Sequence, residues 1–238
     1  GTIDNDQACL AAGVARTGIR ARSAGLVYDM SQISSLDLAR CFKRAFERAG
    51  GTIAVETRVK RGDRDFTAQL HRLRAAHPDV IYAPIPSTEC ALFARQARAM
   101  GLKARIVAAH DAQVAELIDL GGKSVEGLIC TAHVPVCAAG TNRLDRFTAA
   151  FHFHTGIEPQ PDQVMAAQAY FELLDAIERA GSADLKGLRE PWANATPREA
   201  IADAAGFSGS EKGSSRLSVN QVKNGKFVSY EIDDSLNR

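Results

Sequence analysis

The sequence predicts an α/β protein: a doubly wound, parallel, five-stranded sheet, with a partial second lobe of helices and a C-terminal β-hairpin. Three observations predict it. Short apolar runs of strand character alternate with amphipathic helical stretches from about residue 20 to residue 135. Each strand-to-strand connection holds a helix, which is what a parallel crossover needs to carry the chain back across the sheet. After Pro135 the alternation stops, and an Asn224-Gly225 pair between two strand-like runs gives a type I′ hairpin signal.

The first helix is expected from about Asp6 to Arg16, with Asp4 or Asn5 as its N-cap and an acidic start that suits the helix dipole. AGLVYD (24–29) is short, apolar and succeeded by polar turn residues, as a buried strand should be. In SLDLARCFKRAFERAGG, residues Leu38, Cys41, Phe42, Ala45 and Phe46 share a helical face, and Gly50 and Gly51 stop the helix. TIAVETRV (52–59) alternates like a strand. Asp65 can cap the next helix, whose stripe includes Leu70 and Leu73 and which Pro78 ends. VIYAPI is the third strand, and TECALFARQARAMG the third crossover helix, closed by Gly101. RIVAAH is the fourth strand, AQVAELIDLGG is helical, and GLICTAHV is the fifth strand.

Beyond residue 135, RLDRFTAAFHFHTG predicts a helix, with the Pro-rich IEPQPD after it. QVMAAQAYFELLDAIERAG predicts an amphipathic helix ended by Gly181. The Gly/Ser-rich stretch from Gly206 to Ser215 reads as a loop, and RLSVNQVKNGKFVSYEI as the hairpin. The expected division is therefore 1–135 for the α/β lobe with its lead-in segment, and 136–238 for the remainder.

Bulk properties remove several function classes. A formal charge of +1 gives no electrostatic reason for a nucleic-acid partner or an anionic membrane surface. No apolar run approaches the roughly 20 residues of a membrane helix, so no membrane insertion is expected. The five cysteines are scattered, with no zinc-like spacing, and Cys41 and Cys90 occupy apolar helical positions that suit buried thiols. His152 and His154 stand two apart on a helix and point to different faces, so they cannot chelate one metal. No nucleophile elbow or phosphate loop is present, and no catalytic residue, metal or cofactor is expected.

The ordered pieces LVYDMSQ, LARCFKRAFERAGGTI, GDRDFTAQLHRLRAAHPDVIYAP, RQARAMGLKARIVA, VEGLICTAHVP, AYFELLDAIERAG and QVKNGKFV cover nearly the whole chain. Together they resemble the type I periplasmic binding proteins, in the branched-chain amino acid (Leu/Ile/Val) branch of the ABC-transporter substrate-binding family. The resemblance implies two α/β lobes with a ligand held between them, an amino acid or small carboxylate as ligand, ABC permease subunits as partners, no catalysis, and a periplasmic location. It also implies that this sequence starts just before the second lobe, and that 136–238 returns toward an incomplete first lobe. A ligand-sensing regulatory module on the same fold is the alternative.

Ligands of an open α/β sheet sit beyond the carboxyl ends of the strands. That edge offers Asp29, Ser31 and Ser34, then Pro86, Ser87, Thr88 and Glu89, then His110 and Asp111, and finally His133. Ser31, Ser34, Ser87, Thr88, His110 and Asp111 are the candidate ligand contacts. The resemblance places an aromatic residue near Ser34, another near Ser87, and near His110 an acid that pairs with a substrate ammonium. The chain departs from that pattern at all three positions, and Asp111 is the carboxylate able to replace the missing acid. The opening GTIDND also resembles the catalytic loop of the phosphofructokinases. Nothing before it supplies a nucleotide site, and the stretch QACLAAGVARTGIRARSAGLVYD after it does not match those kinases. The binding-protein resemblance therefore takes precedence.

Overall fold

The computed structural model describes residues 2–132, 142–193 and 217–230. The chain divides into two compact units: Gly1–Ala132 with Val219–Arg238, and His133–Ser218.

The first unit holds a seven-stranded sheet in the order β2-β1-β3-β4-β5-β6-β7. Its strands are β1 (Ser23–Asp29), β2 (Thr52–Val59), β3 (Val80–Ala83), β4 (Arg105–Ala108), β5 (Ile129–Ala132), β6 (Ser218–Lys223) and β7 (Lys226–Ser229). β1 pairs in parallel with both β2 and β3, and parallel pairing continues through β4 to β5. All four residues of β3 and of β5 are buried, as expected of strands covered on both faces.

Helices α1 (Thr2–Gly13) and α2 (Ile33–Arg48) cover one face. There Phe42 stacks on Tyr82 with ring centroids 4.2 Å apart, and Leu26, Val80 and Val107 fill in around them. Helices α3 (Thr67–Ala76), α4 (Ser87–Ala99) and α5 (Ala115–Gly121) cover the other, where Leu70, Leu73, Phe93 and Ile106 form a second core. Each of these large side chains, fully buried, contributes about 1.5–3 kcal/mol relative to exposure. At the end of α2, Gly50 adopts φ +80° and the Gly51 amide donates to Phe46 O at 2.9 Å, the expected glycine stop. Asp65 accepts the Thr67 amide at 2.9 Å at the start of α3, and the Thr67 hydroxyl and amide together hold its carboxyl below the usual range.

Four expectations change. The sheet has seven strands, because the hairpin joins it. Gly127 N donates to Val222 O and Val222 N to Leu128 O, both at 2.9 Å, while Val222 is buried in the core. The hairpin therefore belongs with the first unit rather than with 136–218. Its turn is as the sequence predicts: Asn224 and Gly225 have φ of 54° and 68°, and Lys223 pairs with Lys226. The helix expected from Asp6 is already formed at Thr2, so Asp4 and Asn5 lie within α1 and do not cap it. α1 runs on into a π-helical turn, Val14–Gly18. Cys41 is half-buried rather than buried, because it stands at the margin of the α2 stripe, whereas Cys90 is fully enclosed.

In the second unit, α6 (Asn142–Thr155) and α7 (Pro161–Ala180) match expectation. The helix α8 (Leu185–Ala193) was not anticipated. Gln160 and Gln163 cap α7 reciprocally, Pro161 opens it, and Gly181 ends it with φ 62°. His152 meets Glu158 at 3.2 Å, a contact within one helix end and its following loop. The Gly/Ser-rich stretch 206–215, Cys137 and His133 lie outside the described residues.

Candidate functional site

The carboxyl ends of β1, β3 and β4 stand side by side, since β3 lies between the other two. Each ends in a short polar turn, and each turn is built differently.

After β1, Asp29 is fully buried. Its Oδ1 accepts the Ser31 amide at 2.7 Å and the Ser31 hydroxyl at 2.6 Å, a local Asx turn. Its own amide donates to the Ser35 hydroxyl at 2.9 Å, and that hydroxyl donates on to Pro84 O, which ties the β1 turn to the β3 turn. Asp29 Oδ2 and Gln32 Nε2 are buried without a hydrogen-bond partner. Such groups cost free energy unless water or a ligand satisfies them. Ser34 is exposed on the first turn of α2.

After β3, Ser87 and Thr88 begin α4 and both reach Glu116 in the first turn of α5. The Ser87 hydroxyl donates to Oε2 and the Thr88 hydroxyl to Oε1, each at 2.9 Å. The Glu116 carboxylate thus lies against the start of α4, where the dipole favours a negative charge.

After β4, His110 opens a 3₁₀ turn over His110–Ala112. Its Nδ1 lies 3.2 Å from Gln7 Oε1 on α1, and its Nε2 lies 2.9 Å from Asp111 Oδ1. Gln7 is fully buried and its Nε2 has no partner. Asp111 presents a half-exposed carboxylate outside the histidine.

The six expected residues therefore lie on one rim in three groups. Ser31 is engaged by Asp29, Ser87 and Thr88 by Glu116, and His110 by Gln7 and Asp111, while Ser34 is exposed. Gln7, Gln32, Ser35 and Glu116 went unassigned by sequence reasoning. Gln7 had a signal, the Asp4-x-x-Gln7 stretch ahead of the first strand. Glu116 had none, because its partners stand 28 and 29 residues away. Among the described residues, no group of three or more His, Cys, Asp or Glu could hold a metal ion. Burial pushes the Cys90 thiol up to about 12 and the neighbouring Cys130 thiol up as well, which keeps both in the unreactive protonated form.

A family profile described as "Periplasmic binding protein" matches residues 2–225. The chain belongs to the periplasmic binding protein family. Members of this family are substrate-binding components of transport, not enzymes. The leucine-, isoleucine-, valine-, threonine-, and alanine-binding protein of Pseudomonas aeruginosa is 27% identical over 231 residues, covering 96% of this chain and 58% of that protein. The Leu/Ile/Val-binding protein of Escherichia coli is 26% identical over 129 residues, 54% of this chain and 35% of that protein. The chain thus spans little more than half the length of the first relative. A crystal structure of a leucine binding protein from Thermotoga maritima superposes with a TM-score of 0.86 at 31% identity, covering 99% of this chain and 67% of that one. A solute binding protein from R. palustris in complex with benzoate shares the fold, with a TM-score of 0.82 at 16% identity. This periplasmic binding protein therefore sits in the branched-chain amino acid group. Its rim faces the side on which open α/β sheets take ligands.

Proposed function

We propose that this chain is the solute-binding part of an ABC importer, works in the periplasm, and holds an amino acid or related small carboxylate or amide at the carboxyl rim of β1, β3 and β4. The observation that carries the reading is the family match along nearly the whole chain. The rim chemistry supports it: buried Asp29, Gln7 and Gln32 each keep one polar atom unpartnered beside that edge. Asp111 is the acid offered to a ligand ammonium, and the charge-assisted contact strengthens as a closing cleft removes water. No described helix is long and apolar enough to cross a membrane.

Isothermal titration of the full chain against a panel of amino acids, amides and aromatic carboxylates tests this. At least one compound should bind saturably at one site. Asp111→Asn should then weaken an ammonium-bearing ligand about tenfold or more and leave a ligand without an ammonium nearly unaffected. Absence of binding across the panel would overturn the reading.

A further inference from the structure

The sheet's β2 edge carries a chemistry that the rim does not. A cleft of about 310 Å³ opens between α2 and β2, floored by Leu26 and Tyr28 and walled by Arg40, Lys43, Glu56 and Arg58. None of the six rim residues lines it. We propose that this cleft is a second small-molecule site, one that takes a small oxyanion, a carboxylate or a phosphate, on a short apolar body.

Three features point to an anion. First, the only acid in the wall is already matched: Lys43 Nζ meets Glu56 Oε1 at 2.7 Å. That leaves the guanidiniums of Arg40 and Arg58 facing the cleft, and among the described residues the ion-pair contact of Arg40 is a long, exposed one to Asp37 at 3.7 Å. Second, Arg58 is held in place. Its Nε donates to the hydroxyl of Tyr28 at 3.2 Å, and the Tyr28 ring is buried in the sheet face, so the remaining N–H groups of the fork are directed by a fixed anchor. A planar fork fixed in this way matches the two oxygens of a carboxylate or phosphate. Third, the Tyr28 hydroxyl accepts from Arg58, so its own hydrogen remains available to donate into the cleft.

The other side of the cleft is apolar. Leu36 and Ala39 of α2 and the half-exposed Met30 line it, which gives the ligand's body a surface to cover. A second cleft of about 310 Å³ shares Tyr28, Glu56 and Arg58 and continues around the edge to Gln69 and Arg72 of α3. Arg58 thus stands between two openings that each bring a further arginine. β2 is the first strand of the sheet order, with no strand on its outer side among the described residues, so nothing described covers this flank.

The test is titration of the full chain at low salt with sodium phosphate and, separately, with sodium phenylacetate, followed by amide chemical shifts. We expect saturable binding of at least one anion, with shifts at residues 28, 40, 43 and 58. Raising salt to about 0.5 M, where screening acts within a few ångströms, should weaken it several-fold. Arg58→Gln should weaken it about tenfold, Arg58→Lys less, and Tyr28→Phe several-fold. Arg58 is exposed, so its substitution should leave the melting temperature in place and keep the comparison clean. Binding of phosphate alone assigns the site to phosphate compounds, and binding of phenylacetate alone to carboxylates with an apolar body. The proposal is overturned if neither anion binds, if Arg58→Gln and Arg40→Gln bind like the parent, or if the shifts are confined to residues 31–34 and 110–111. Those last shifts would report the rim instead, so failure here is separable from failure of the amino-acid reading.

Discussion

Asp79 and Asp29 stand at opposite ends of the β1–β3 pair, and they are treated in opposite ways. At the amino end, one oxygen of Asp79 accepts the amides of Arg22 and Ser23, each at 2.8 Å, and the Ser23 hydroxyl at 3.1 Å. The Asp79 amide returns a bond to Ser23 O at 3.1 Å. At the carboxyl end, Asp29 is more deeply buried, yet only one of its oxygens is matched and the other is left without a partner. The amino end is closed on itself although it lies in water. The carboxyl end keeps an unmatched anionic oxygen although it is enclosed. A buried unmatched polar atom has a cost that an exposed one does not, so its survival at one end of the sheet marks that end as the one with another partner to meet.

The largest effect should come from Asp29→Ala. It removes the acceptor of two short bonds from Ser31 and opens a void beneath the turn, at an expected cost of about 2–3 kcal/mol in urea unfolding. Asp29→Asn separates the two halves of the effect, because it keeps the shape and one acceptor oxygen. If the unmatched Oδ2 is a ligand or water contact, the asparagine variant should lose less stability than the alanine variant but bind the rim ligand more weakly. Equal ligand affinity in both the parent and Asp29→Asn would mean that the open oxygen is irrelevant to binding, and the contrast between the two sheet ends would lose its functional meaning.

Asp79 should show a smaller loss with a distinct pH signature. Hydrogen bonds from Ser23 and Arg22 hold its carboxyl below the usual range. A carboxyl made more acidic by folding contributes stability that is fully present above its unfolded value, near 4, and is lost as pH falls through the lower folded value. Asp79→Ala should therefore cost about 1 kcal/mol at pH 7, and the gap to the parent should narrow in acid. Urea midpoints at pH 7, 4 and below 3 measure this. A gap that stays constant down to the lowest pH would show that the amino end is held by packing rather than by this carboxylate.

Much of the fold was legible before the structure. The five parallel strands are local signals, since each is a short apolar run between a helix stop and a turn, and β2 falls on Thr52–Val59 as read. The Asn224-Gly225 turn is equally local. The placement of the hairpin was not, because joining β5 is a long-range pairing with no local mark. Of the rim, the Asp29–Ser31 pair lies within one turn and its position was evident. The contacts of His110 to Gln7 and of Ser87 and Thr88 to Glu116 cross 103, 29 and 28 residues, and only the fold brings them together. The cationic cleft was invisible for the same reason: Arg40 and Arg58 read separately as solvated charges on a helix and on an alternating strand.

The smallest effect should come from Glu116, which stands between the two extremes. Like Asp79 it is exposed and accepts bonds from another element, and like Asp29 it lies at the carboxyl end. Glu116→Gln keeps the shape but removes the charge that two hydroxyls and the start of α4 favour, so thermal unfolding should show a loss of about 0.5–1 kcal/mol. Its effect on ligand affinity should be the more telling one. In the parent, Ser87 and Thr88 spend their hydroxyl hydrogens on the carboxylate, so they can only accept from a ligand. Glu116→Ala frees both hydrogens to donate. A carboxylate-bearing ligand at the rim should then bind more tightly in Glu116→Ala than in the parent, even though the protein is less stable. Weaker binding would place Glu116 itself among the ligand's contacts, and unchanged binding would remove the β3 turn from the site.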